Sequence, residues 1–114
     1  MENISYEDFK KLDMRFGEIK EATMISGSDK LVKCAVYFNE EIGTRIIVSG
    51  IKKYIDDIQS IVGKKVLYVI NLEPRMIMGT LSQGMLMAYS SDDDSIFSFV
   101  VPENSAIGAG SKIK

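Results

Sequence analysis

The sequence predicts a mostly β protein: a small five-stranded barrel with a helix inserted between the third and fourth strands, a short helix before the first strand and an apolar strand after the fifth. Three observations carry that expectation. Apolar residues alternate at period two in several short runs. One stretch alone switches to helical spacing. At 114 residues and 46% hydrophobic content, the chain has the size of one domain able to bury a core without disulfides or metal.

Ser5-Tyr6-Glu7-Asp8 reads as a helix start, with Ser5 as N-cap, Asp8 at the capping-box position and Ile4 placed against Phe9. This helix ends near Leu12. Asp13 to Ile25 forms a long first strand with Met14, Phe16 and Ile19 apolar, and the shift from even to odd numbering across Gly17 predicts a bulge that bends it. After a turn at Gly27-Ser28-Asp29, Val32, Cys34, Val36 and Phe38 alternate with Lys33, Ala35 and Tyr37, which turns Cys34 inward. Asn39 to Gly43 closes a hairpin into Thr44 to Ser49, where Ile46 and Val48 share one face and Arg45 and Ile47 the other. Ile51, Tyr54, Ile55, Ile58, Ile61 and Val62 then follow helical spacing, with Gly63 at the C-terminal cap; this is the one long helix expected. Val66, Tyr68 and Ile70 alternate on a fourth strand, and Met85 to Tyr89 forms the fifth. An acidic turn, Ser90 to Ser95, leads to the extension Ile96 to Val101. Three strands, a helix and two strands is the order of the OB-fold barrel, whose inter-strand loops grip oligonucleotides; a plain α+β sandwich is the alternative. No repeat, low-complexity segment or linker divides the chain, so residues 1–114 are expected to be a single domain with terminal extensions.

Composition excludes several function classes. There is no histidine and the only cysteine is Cys34, which rules out serine-histidine triads, thiol-imidazole pairs and Cys/His zinc sites within one chain. No carboxylate pair, phosphate-cradling glycine loop or calcium loop is present, so the expected protein is neither an enzyme nor a carrier of a cofactor or metal. A net charge of −2 argues against a generic polycation, and any nucleic-acid binding must use clustered cations. Arg45 to Gly79 supplies them, while Asp92, Asp93 and Asp94 gather acid elsewhere. Charged and polar residues follow Met1, and no apolar run reaches the roughly 20 residues of a membrane helix. A soluble cytoplasmic protein is expected, with no membrane partner.

Asn71 to Met87, NLEPRMIMGTLSQGMLM, joins two apolar strands with neither helical nor strand periodicity. Pro74, Gly79 and Gly84 make it a shaped loop. Arg75, Ser82, Gln83 and four methionines suit a surface partly charged and partly flat, as nucleic acid is. Lys30, Lys33 and Arg45 add cations on the polar face and mouth of the barrel, whereas Lys52, Lys53, Lys64 and Lys65 read as ordinary solvation around the helix ends. Ser82 either caps backbone or reaches phosphate or a 2′-hydroxyl, with Met85 packing on a base or ribose. Asn71 either ties its turn or bonds a base edge. Tyr37 and Tyr89 are candidates for stacking; Tyr54 and Tyr68 read as structural.

NLEPRMIMG followed by SQGM, with upstream LDMRFGEI, SDKLVK and RIIVSGI, resembles the tRNA-binding domain family from about Phe9 to Ala88. That family includes the C-terminal appendage of many methionyl-tRNA synthetases, free-standing structure-specific tRNA-binding proteins and relatives described as secretion chaperones. The resemblance implies a non-catalytic homodimer that recognises tRNA by backbone shape, at its outer corner, alone or with a methionyl-tRNA synthetase. It assigns tRNA contact to the Ser, Glu/Gln, Gly-Met motif, here carried onto Ser82 and Met85. The expected tRNA-binding set is thus Lys33, Arg45, Asn71, Arg75, Ser82 and Met85, with Phe9, Phe99 and Val101 at the dimer interface. An export-chaperone-like dimer binding peptide through exposed methionines is the rival. Phe16 for a smaller aliphatic, Asn39 where glycine is common and the lack of proline after Tyr54 depart from the family pattern.

Overall fold

The computed structural model describes residues 1–114. Its core is one strongly curled antiparallel sheet, built from β1 (Met14–Met24), β2 (Val32–Tyr37), β3 (Thr44–Ser49), β4 (Lys65–Val69) and a short β7 (Met85–Leu86) in the order β3-β2-β1-β4-β7. Two small hairpins flank it: β5 (Arg75–Ile77) with β6 (Thr80–Ser82), and β8 (Ala88–Ser90) with β9 (Phe97–Phe99). The alternation read from the sequence places the core. Val32, Cys34, Val36 and Phe38 are buried, and Ile19, Val66, Tyr68 and Ile70 close over them. The Tyr68 and Phe38 rings meet edge to face at 5.7 Å.

A long β1 lets one strand serve two neighbours: its first half pairs with β4 and its second with β2. The bulge that makes this bend lies between Ile19 and Glu21 rather than at Gly17. Gly17 has a different task. A Cβ there would meet Val36 Cγ1 at 2.5 Å and the Phe38 ring at 2.7 and 2.9 Å, so glycine is needed for strand-to-core approach. The C-terminal tail runs along the free edge of β1: Phe16 N–H donates to Ser111 O, Gly110 N–H to Phe16 O and Ile113 N–H to Met14 O.

The long helix expected over Ile51 to Val62 does not form. Two 3-10 turns, Lys52–Tyr54 and Ile58–Ile61, stand there instead. Ile55 and Asp57 between them have extended backbone, and the Asp57 carboxylate accepts from Gln59 N–H while its carbonyl takes the Ser60 hydroxyl. Aspartate offering its own side chain to the local backbone and repeated β-branched isoleucines both disfavour a continuous helix. A long-range bond from Gln59 Nε2 to Ala22 O anchors the second turn. Ile51, Ile55 and Ile61 are buried nonetheless, and Gly63 takes the left-handed φ of +94° expected of it.

At the N-terminus, helix α1 (Tyr6–Lys10) is capped by Ser5, whose hydroxyl accepts from Asp8 N–H at 3.1 Å. It buries no residue of its own. The extension after β7 pairs within the chain: Phe97 and Phe99 of β9 turn towards the core, with Tyr54 stacked on Phe97 at 4.4 Å. Asp94 fixes this hairpin to the first 3-10 turn by accepting from Lys53 Nζ and the Tyr54 hydroxyl. The Lys53 ammonium, and after it the tyrosine hydroxyl, hold the Asp94 carboxyl below the ordinary aspartate range. No helix of the structure is long and apolar enough to cross a membrane.

Candidate nucleic-acid interface

The stretch Asn71 to Met87 contains a hairpin that periodicity did not reveal. Met78 and Gly79, at φ +47° and +82°, form its two-residue turn between β5 and β6. Left-handed backbone at both central positions is the type I′ arrangement that suits strand twist, and the glycine is the signal available in the sequence. A methionine at such a φ is uncommon. Its Cε lies 3.5 Å from where a Cβ on Gly27 would stand, so the hairpin tip reaches the turn between β1 and β2.

Ser82 and Gln83 fasten this hairpin to β3. Ser82 Oγ accepts from Val48 N–H at 2.9 Å, Gln83 Oε1 accepts from Ile46 N–H at 3.3 Å, and Gln83 N–H donates to Ile46 O at 2.8 Å. Two side-chain oxygens thus take the place of a ladder on the open edge of β3. Gly84 then passes so close that a Cβ would meet Ile47 Cδ1 at 3.0 Å and Val69 O at 3.2 Å.

The six residues expected to touch RNA occupy different settings. Ser82 is 4% exposed and its hydroxyl is engaged with Val48, so it acts here as a tie. Asn71 accepts from Asp13 N–H at 2.8 Å and donates to Lys11 O, which joins the end of β4 to the segment after α1. Arg45 donates to Ile70 O and, at 3.5 Å, to Gln83 O. Register puts Arg45 opposite Val36, and Lys33 opposite Val48. Because directly opposed residues share a face, Lys33 and Arg45 do not line one polar face: Lys33 stands on the outer face and Arg45 at the mouth of the interior. Arg75 is exposed and makes no ion pair, and Met85 is 48% exposed. Arg75 and Met85 meet in one groove of about 400 Å³ between the β5–β6 hairpin, the end of β3 and the β8–β9 hairpin.

Of the residues expected at a dimer contact, Phe9 and Val101 are 41% and 52% exposed, while Phe99 packs against the chain's own core and meets Phe97 edge to face. The apolar run Ile96 to Val101 has no polar face to mark its inner side; pairing of β9 with β8 turns Phe97 and Phe99 inward.

A family model described as "Putative tRNA binding domain" matches residues 14–110. The chain belongs to the tRNA-binding domain family. Among its relatives, a methionine–tRNA ligase of Caldanaerobacter subterraneus is 47% identical over 89 residues, covering 78% of this chain and 14% of the ligase. The ligase of Methanocaldococcus jannaschii is 40% identical over 114 residues, all of this chain and 17% of the ligase. This tRNA-binding domain therefore spans only about a sixth of those relatives' length. Among solved structures, a protein related to methionyl-tRNA synthetase from Pyrococcus horikoshii superimposes with a TM-score of 0.88 at 31% identity, each chain covered in full. The CsaA chaperone of Picrophilus torridus does so with a TM-score of 0.85 at 27% identity, covering 98% of this chain and all of the other.

Proposed function

We propose that this domain is a non-catalytic, homodimeric tRNA-binding protein on an OB-type barrel, working in the cytoplasm alone or as the tRNA-binding part of a methionyl-tRNA synthetase. The observation that carries the reading is Arg75, exposed and unpaired on a hairpin that Ser82 and Gln83 fix to β3. A cation carried on rigid backbone gives up only side-chain freedom, and no loop ordering, when it meets a phosphate. Arg75 and Lys33 are the phosphate contacts and Met85 packs on base or sugar. Arg45 spends part of its guanidinium on two carbonyls and presents the remainder. Ser82 and Asn71 position these groups from beneath. Phe9 and Val101, exposed apolar residues at the two ends of the chain, supply the dimer contact.

A second reading, a peptide-binding chaperone on the same scaffold, is favoured by one observation: Met76, Met78, Leu81 and Met85 are each 45% exposed or more on and beside one hairpin. Electrophoretic mobility shifts with tRNA, an unstructured RNA and an unfolded peptide separate the two. Retardation of tRNA alone supports the first; binding of peptide without tRNA replaces it with the second.

A further inference from the structure

The groove beside Arg75 combines features that a phosphate-binding strip does not need. It is concave, its volume lies within the range of small-ligand sites, ~300–1,000 Å³, and most of its lining is apolar. Met85 and Tyr89, 48% and 57% exposed, offer a thioether and an aromatic ring to a flat occupant. Two opposite charges, Glu73 and Arg75, line it with Pro74 between them, yet neither side chain is engaged in an ion pair or hydrogen bond within the chain. A carboxylate facing a nucleic acid is unfavourable unless a donor group is delivered to it.

We propose that this groove takes one unstacked guanine nucleotide of the bound tRNA, with Arg75 on its phosphate, Met85 and Tyr89 against the base and the Glu73 carboxylate on the N1–H and N2–H edge. The inference rests on the tRNA-binding reading and adds a base-specific contact to it. Guanine is the fitting base because it presents two adjacent, parallel donors to a two-oxygen acceptor. Adenine and cytosine set a ring acceptor beside their amino group, and uracil flanks its single N–H with carbonyls; each would turn a lone pair on the carboxylate.

Glu73→Gln gives the test a sign. If Glu73 only adds negative charge near the RNA, its neutralisation tightens tRNA binding; if it accepts from guanine, affinity falls about tenfold because a charge-assisted pair is lost. Alongside, the full chain is titrated with GMP, IMP, AMP, CMP and UMP while the Met85 methyl and Tyr89 ring signals are followed by NMR. GMP is expected to shift both signals at lower concentration than the others, IMP, which lacks the 2-amino group, to bind about tenfold more weakly, and Glu73→Gln to erase that difference. Wild-type chain that binds tRNA while Glu73→Gln binds it equally or more tightly overturns the base pocket and leaves the tRNA reading standing. Wild-type chain that ignores tRNA overturns both.

Discussion

Replacing Ser82 by alanine separates two tasks that one hydroxyl could have. Its Oγ accepts from Val48 N–H at 2.9 Å at a site only 4% exposed. Alanine fits the space but leaves a buried backbone donor without a partner, at a cost of about 1–3 kcal/mol. With unfolding entropy near 2.1 cal/mol/K per residue, a domain of this size loses stability at about 0.24 kcal/mol per degree, so the melting temperature should fall by roughly 4–12 °C. Affinity for tRNA, measured at 25 °C where the variant remains folded, should fall less than threefold or so, through loosening of the β5–β6 hairpin, with the salt slope unchanged because no charge has left. Differential scanning calorimetry and fluorescence anisotropy with labelled tRNA measure the two quantities. An unchanged melting temperature together with a several-fold loss of affinity would refute the reasoning and return the hydroxyl to the RNA.

Arg75→Ala should weaken tRNA binding at all sequences and flatten the salt dependence by about one unit of slope, whereas Lys52→Ala, whose ammonium is bonded to Ile55 O, should change neither; equal effects would mean a diffuse field of charge. Sedimentation should show a dimer at micromolar concentration, and Phe9→Asp or Val101→Asp should yield folded monomers, while Phe99→Asp should instead unfold the chain because that ring packs on the core. Tyr68→Phe removes a fully buried hydroxyl that has no partner, so the urea midpoint should rise by the equivalent of about 1 kcal/mol at unchanged m; a clear fall would show that the hydroxyl is satisfied in solution. Burial pushes the Cys34 thiol up to about 11, so at pH 8 it should resist a thiol reagent until the protein unfolds, and fast labelling of native protein would contradict its place in the core.

Period-two alternation over Val32 to Phe38 and Val66 to Ile70 determined which side chains build the core, because burial of one sheet face is written directly in the order of apolar residues. The sequence also disclosed the cap at Ser5, the left-handed cap glycine at Gly63, and, through the run of motifs from LDMRFGEI to SQGM, the family. Helical spacing predicts a helix over Ile51 to Val62; Ile51, Ile55 and Ile61 do reach the core, but Val62 is exposed and the backbone is not helical. Helical spacing records which residues must reach the core, whereas the path they take is set by Asp57 capping its own turn and by Gln59 bonding to Ala22, 37 positions away. The site follows the same division. Residue type marked Arg75 as surface chemistry and the family motif alone pointed to Met85, but Ser82, Asn71 and Arg45 carry polar groups that RNA or backbone could equally satisfy. The tertiary structure decided among them by bringing the open edge of β3 and the ends of the N-terminal segment and β4 within hydrogen-bond reach. A local sequence names the donors and acceptors; only the curled sheet and the hairpins docked on it fix which of them are still free to meet a ligand.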